Sequence, residues 1–281
     1  MFNILFFKKL LKKDIRFVIG SIVILCFGLL MIFAPFIAPY DPTEMHYEHT
    51  FSSPSKAFLL GTDEYGRDVL SRLIYGTRAS LFISTSALVL ATVGGVLLGL
   101  VGANGGPILE ILTMRLVDLT FCIPPIFLAI SIIAFLGSGL GNLILVMGVL
   151  YMPQFARITY TSCLSVKESQ YIEAANALGC PRYHIVIKHI LPNIISPIIV
   201  QTSFSLGALI LLETGLSFLG LGILPPATSL GLMLGTAKSY LYIDSRLLLL
   251  PAVIVGIIVL TINILGDAIR DALDPTISLK K

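Results

Sequence analysis

Charge is scarce in this sequence. Of 281 residues only 12% are Asp, Glu, Lys or Arg, about half the share in soluble domains. A water-soluble fold needs a polar coat, so a soluble enzyme and a disordered chain are poor readings. Net charge is only +3, which gives no reason to expect a polyanion, and no nucleic-acid partner is expected. Tryptophan is absent, and the four cysteines, Cys26, Cys122, Cys163 and Cys180, make no CxxC pair. They read as small hydrophobes or free thiols, not as a disulfide framework. No G-x-x-x-x-G-K-[ST] occurs, so the chain is not expected to cradle nucleotide phosphates itself. The four histidines, His46, His49, His184 and His189, all fall outside the long apolar runs. An intramembrane enzyme would want a Ser/His, paired-Asp or His-rich constellation inside them.

What the sequence has is apolar surface. Hydrophobic residues make up 56%, and mean hydropathy is +0.94. This is the composition of an integral membrane protein. A spanning helix needs about 20 apolar residues, so charge-free runs give the map. The 23 residues Phe17–Pro39 are one span, too long for a signal-peptide core. Ala79–Leu109 is closed by Asn104-Gly105-Gly106-Pro107, leaving a span at roughly 80–102. Leu119–Ala156 is 38 residues and is interrupted at Leu136–Asn142, so it predicts a third and a fourth helix joined by a tight turn. Ile190–Leu212 and Leu247–Gly266 are the fifth and sixth spans. Thr214–Ala237 has no charge but holds five Gly and Pro225-Pro226. Lipid tolerates such backbone poorly, so it predicts the end of the fifth helix, then an external loop with a short helix.

The positive-inside rule tests six spans. With the N-terminus inside, 13 Lys and Arg lie on the inner side, among them Lys8, Lys9, Lys12, Lys13, Arg16, Lys280 and Lys281. Six lie outside: Lys56, Arg67, Arg72, Arg78, Lys238 and Arg246. A seventh span would spoil this bias. The expected fold is all-α, with six transmembrane helices and both termini cytoplasmic. Its segments are a tail 1–16, a first helix 17–39, an extracytoplasmic stretch 40–78, a five-helix core 79–267 and a tail 268–281.

The longest inner stretch, Thr159–Leu191, carries the sharpest pattern. Tyr171, Ile172, Ala175 and Leu178 recur at helical spacing. Gly179 then stops the helix and Pro181 can start another. Ile185, Val186, Ile187, Ile190 and Leu191 make a second stripe, ended by Pro192. An amphipathic loop of this kind could lie on the membrane surface. Its spacing, Glu173-Ala174-Ala175, three residues, Gly179, then Leu191-Pro192, resembles the EAA motif of ABC-importer permeases, within a loop at 163–192. His189 stands where the general pattern has Ile, as in peptide-type members. Segments 60–72 (LGTDEYGRDVLSR), 216–222 (LSFLGLG) with Pro225-Pro226, and 266–275 (GDAIRDALDP) are similar to others of the dipeptide/oligopeptide/nickel subfamily. All four in order resemble its second, C-type permease.

That resemblance implies the type I importer fold and a place in the cytoplasmic (inner) membrane of a prokaryote. It implies a homologous second permease, two ATPase subunits and an extracytoplasmic substrate-binding protein. The chain itself would hold no cofactor and catalyse nothing, with ATP and Mg on the ATPases. Glu173, Ala174, Ala175, Gly179, Leu191 and Pro192 would couple to those ATPases. Peptides are the implied cargo, with nickel or a metal chelate as the alternative. A secondary transporter is the remote one, since no inverted repeat is visible.

Glu213 is the acid deepest in a predicted span. It would either line the pathway, meeting a peptide amine or a cation, or hold the fifth helix to its neighbours by a buried hydrogen bond, the preferred reading. Asp118 is expected to pair with Arg115 at i,i+3, and Asp267, Arg270 and Asp271 to cap the last helix. Asp63, Glu64, Arg67, Asp68 and Arg72 could bind the external protein or brace their own loop, and bracing is preferred. His46 and His49, with Glu44 and Glu48, look metal-like in composition but read as solvated loop residues, since no third ligand aligns.

Overall fold

A computed structural model describes residues 15–273. The tail lysines Lys8, Lys9, Lys12, Lys13, Lys280 and Lys281 fall outside the described residues. Among the described residues there is no strand, only an isolated bridge between Thr62 and Asp68. The helices are α1 (Ile15–Ile37), α2 (Val69–Asn104), α3 (Pro107–Phe121), α4 (Pro125–Leu136), α5 (Leu140–Lys167), α6 (Gln170–Ala177), α7 (Arg182–Ile185), α8 (Leu191–Phe218), α9 (Leu230–Ala237) and α10 (Arg246–Leu273). Five of them are long and apolar enough to cross a bilayer: α1, α2, α5, the continuous α7–α8 stretch Arg182–Phe218, and α10.

The sixth crossing is made of two pieces, and here the expectation of one straight third helix, beginning at Leu119, fails. α3 and α4 meet at 96°. The cause is Pro124-Pro125. A residue before proline avoids the helical region, and Pro124 is extended, with ψ of 134°. Pro125 then starts α4 at the position where its missing N–H costs nothing. α3 lies against α5: Tyr160 donates to Glu110, and Arg157 pairs with Asp118. Glu110 and Asp118 are about 12 Å apart along α3 at 1.5 Å per residue, while their partners lie within one turn of α5. So α3 crosses α5 obliquely, and α4 runs on beside α5, burying Ala129 and Ile133 in the same core as Leu143 and Met147.

The other breaks fall where glycine leaves the helix. Asn142 Nδ2 donates to Leu136 O and Gly137 O (2.8 and 3.0 Å), which closes the α4–α5 turn. α8 runs on to Phe218. Past it come the 219–229 loop and the short α9, whose N-cap Ser229 accepts from Leu232 N.

Two faces result. Arg16, at the start of α1, pairs with Asp271, near the end of α10, at 2.9 Å. Both ends of the described chain therefore lie on one face, which requires an even number of crossings. Lys167 Nζ donates to Ala103 O and ties the ends of α5 and α2 to that same side. The loop 40–68, the 219–229 loop and the start of α10 are on the opposite face.

The centre is the α2–α5 seam. A Cβ on Gly95 would stand 2.4 Å from Phe155 Cβ, and one on Gly99 2.5 Å from Ala156 O. With Ala91, fully buried, these make a small-residue stripe at i, i+4, i+8, the device by which membrane helices bring backbones close. Leu209 and Leu216 of α8 complete this core. A second cluster joins the start of α2 to α9 and α10. α1 is peripheral: Gly20 packs on Leu265 of α10, while Ile22, Leu25, Leu29 and Phe36 stay exposed, as lipid-facing residues should.

Candidate functional site

The element 168–190 projects from the Glu173 face. α5 runs to Lys167, so the element is shorter than the Thr159–Leu191 stretch. α6 is an eight-residue helix that cannot stand alone, and its ends show how it is held. Gly179 N–H donates to Asn176 O (3.0 Å) and Cys180 N–H to Ala175 O (3.1 Å). This is the Schellman pattern, with Gly179 in the left-handed region at φ +76°. A Cβ there would meet nothing within 4 Å, so glycine is required by the backbone angle, not by space. Pro181 is the N-cap of α7, one position earlier than a first helical residue. Val186–Ile190 is a single widened turn in which Leu191 N–H reaches back to Val186 O. It sits directly before Pro192, which has no N–H to give.

The element has a buried sole and an exposed ridge. Ile172, Ile185, Ile190 and Ile194 are buried with Cys163, and Ala175 and Leu191 pack against them. The expected stripes are corrected in three places. Leu178 is 83% exposed, Ile187 63% and Tyr171 48%; Tyr183 joins them at 70%. Glu173, Ala174 and Pro192 are exposed as well. So Glu173, Ala174 and Gly179 lie on the outer surface, Ala175 and Leu191 bridge to the sole, and Pro192 starts α8. Tyr183 and Ile187 were not singled out from sequence as outward residues. An eight-residue helix with apolar residues on two sides gives no period from which to tell sole from ridge.

Glu213 lies on α8 and is fully buried. Its Oε1 accepts from Ser217 Oγ at 2.7 Å. The hydroxyls of Ser80 on α2 and Ser229 before α9 also face the carboxyl, while Oε2 makes no closed hydrogen bond. No cation is paired with it among the described residues. The closed hydrogen bond of Glu213 is thus within α8, with hydroxyls of two other elements beside it.

The 60–72 segment braces itself. Asp63 Oδ1 accepts from the backbone N–H of Tyr65 (2.9 Å) and Arg67 (3.0 Å). Its Oδ2 accepts from Arg67 Nε (2.7 Å) and from Arg72. Arg67 Nη2 also donates to Glu64 (2.8 Å) and stacks on Tyr65. Asp68 caps α2 through Ser71 N–H at 2.8 Å. Gly66, at φ +74°, lies so close to His46 O that a Cβ would be 1.9 Å away.

Two smaller expectations change. Asp118 pairs with Arg157 and not with Arg115, because α3 aims the carboxylate across to α5. Of Asp267, Arg270 and Asp271, it is Asp271 that pairs, with Arg16 of α1. His49 is exposed and His46 half-buried, both rings touching Phe58 at 5.5 Å, and no third ligand gathers with them among the described residues.

Residues 95–279 match the family described as the binding-protein-dependent transport system inner membrane component. The chain belongs to this family. Residues 7–54 match the N-terminal transmembrane domain of oligopeptide transport permease C. Over 266 residues the chain is 37% identical to the di/tripeptide transport system permease protein DppC of Pseudomonas aeruginosa, covering 91% of this chain and 86% of that one. It is 36% identical to the dipeptide permease DppC of Haemophilus influenzae (94% and 92% covered). To the glutathione transport system permease GsiD of Pectobacterium atrosepticum it is 35% identical (96% and 90% covered). An inward-facing structure of the MetNI methionine ABC transporter superposes with a TM-score of 0.60 at 24% identity, covering 73% of this chain and 97% of that one. An amino acid ABC transporter gives 0.55 at 14% identity, with 72% and 94% covered. These two share the permease fold of type I importers, in agreement with the fold expected from sequence.

Proposed function

We propose that this permease is one membrane-spanning subunit of an ABC importer for di- or oligopeptides. It forms half of the translocation pathway with a homologous second permease. The Glu173 face is cytoplasmic, as the Lys/Arg bias requires, and two ATPase subunits carrying ATP and Mg dock there. An extracytoplasmic binding protein delivers cargo to the other face, and the importer sits in a prokaryotic cytoplasmic membrane. The relatives named for di/tripeptide and dipeptide transport support the peptide class.

The observation that carries the coupling role is the exposed apolar ridge Tyr171, Leu178, Tyr183 and Ile187 on an element with a rigid sole. Aromatic and apolar side chains held this far out of the fold suit a partner's groove. Closure of the ATPases moves the ridge. The sole transmits that motion into α5 and α8, and Lys167 on Ala103 O carries it to α2. The spans then rock between inward- and outward-facing states as largely rigid bodies.

The test is reconstitution of the full importer in proteoliposomes with a labelled dipeptide. Uptake should need both ATP and the binding protein. Glu173→Lys or Gly179→Pro should lower it at least about tenfold, since each strikes the docking surface or its cap. Undiminished uptake in both variants would sink the coupling assignment.

A further inference from the structure

Among the described residues, one arginine on the Asp63 face has no partner. Arg67 and Arg72 are paired with Asp63, and Arg246 with Asp244. Arg78, on α2, is half-buried and makes neither an ion pair nor a hydrogen bond among the described residues. The acids of that face are largely engaged elsewhere: Asp41 by Thr43, Glu64 by Arg67, Asp68 by Ser71. An intramembrane or boundary cation without a partner is costly and marks a functional site by default.

Arg78 lines a pocket of about 590 Å³, inside the size range of small-molecule sites. Phe82, Leu140, Leu224 and Pro226 make its walls apolar. Tyr75, one turn before Arg78 on α2, supplies a hydroxyl that is likewise unbonded. The pocket is assembled from α2, the start of α5, Pro42 and Thr43 of the 40–68 loop, and the 219–229 loop, the same loop that leads to Ser229 beside Glu213. A guanidinium fork matches a carboxylate in two parallel hydrogen bonds. The walls suit an apolar side chain next to that carboxylate. In a peptide cargo, one carboxylate beside one side chain is the C-terminal end.

We propose that the Arg78 pocket receives the C-terminal carboxylate of the peptide as it enters the pathway, with Phe82 and Leu224 against the last side chain. This rests on the peptide-importer reading and names a specificity residue within it. The bare apolar walls and single charge favour this occupant over an acidic patch of the binding protein, which would be met by a polar surface rather than a greasy pocket.

The experiment uses the assembled importer with both ATPases and the binding protein. Uptake of Ala-Phe and of its C-terminal amide is compared in wild type, Arg78→Gln and Arg78→Lys. Wild-type uptake of Ala-Phe judges the importer reading separately; its absence overturns both. The Gln variant should take up Ala-Phe at least about tenfold more slowly, with partial recovery in the Lys variant, while uptake of the amide is equal in all three. Equal losses for acid and amide, or no loss for either, overturn the proposal, the second outcome placing Arg78 against lipid phosphates. A fall in binding-protein-stimulated ATP hydrolysis without peptide in Arg78→Gln assigns Arg78 to docking instead and overturns it. Should wild type not carry the amide, a peptide ending in a photoreactive side chain decides. Labelling of Phe82 or Leu224 that is lost in Arg78→Gln supports the pocket, and labelling elsewhere overturns it.

Discussion

The two faces of this permease handle their polar and apolar groups in opposite ways. In the 60–72 segment of the Asp63 face, charges are buried and satisfied by one another: Asp63, Arg67 and Arg72 are each no more than about a tenth exposed. On the Glu173 face, apolar side chains are exposed and covered by nothing among the described residues, Leu178 most of all. A buried ion network costs desolvation and returns a fixed shape. An exposed ridge costs solubility and returns a contact. The 60–72 brace is satisfied within the chain, whereas the ridge is left open. Charge is buried where the chain braces itself and apolar surface is exposed at the ridge, the reverse of the usual expectation.

Breaking the 60–72 brace should have the largest effect. Asp63→Ala leaves two buried guanidinium groups and two backbone N–H groups without their acceptor. The loss should be about 3–5 kcal/mol, read as a lower melting temperature of the detergent-purified permease. Next is the open face. Leu178→Asp with Tyr183→Asp should weaken capture of the ATPase subunits by about 2–4 kcal/mol, at least thirtyfold, while the melting temperature of the permease alone stays put. A drop in that temperature would mean the ridge belongs to the fold after all. Gly179→Ala should cost about 1–2 kcal/mol, from the left-handed backbone alone. Gly179→Asn should cost less, because asparagine tolerates that region; ATP-driven uptake measured on both should rank them in that order.

The smallest effect belongs to Asp244, whose carboxyl is held below the ordinary carboxylate range by hydrogen bonds from Arg246. The folded state then binds this proton less tightly than the unfolded state. Its contribution is complete at neutral pH and is lost as pH falls through the carboxylate range. Asp244 is buried but its partner Arg246 is a third exposed, so the pair is partly screened; Asp244→Asn should cost about 1 kcal/mol, and the difference from wild type should vanish in acid melts.

The spans were legible because lipid demands charge-free length, and the turns at 104–107 and 136–142 because glycine was written into them. The kink at Pro124-Pro125 was hidden inside a run read for its lack of charge, although the prolines were in plain view. Asp118 was misassigned because i,i+3 is the only geometry a sequence can offer without knowing which helix lies alongside. The Ala91, Gly95 and Gly99 seam was spelled out at four-residue spacing and went unread among so many glycines. In the 168–190 element the residues were legible and their directions were not. Which apolar stripe turns inward is decided by Ile190, Ile194 and Cys163, from parts of the chain outside the helix. Glu213 was legible as an oddity, but its Ser80 and Ser229 neighbours come from distant segments.

The oblique α3 has a consequence for how the protein is made. Asp118 leaves the ribosome 39 residues ahead of Arg157. At 5–20 residues per second that is roughly 2–8 s during which the carboxylate has no counter-ion. α3 and α4, bent and carrying Glu110 and Asp118, are poor candidates to enter the bilayer unaided. They can settle only when α5 arrives with Tyr160 and Arg157, so the three segments should leave the insertion machinery together. The bend makes biogenesis of this stretch a cooperative event among three helices, not a series of single passes.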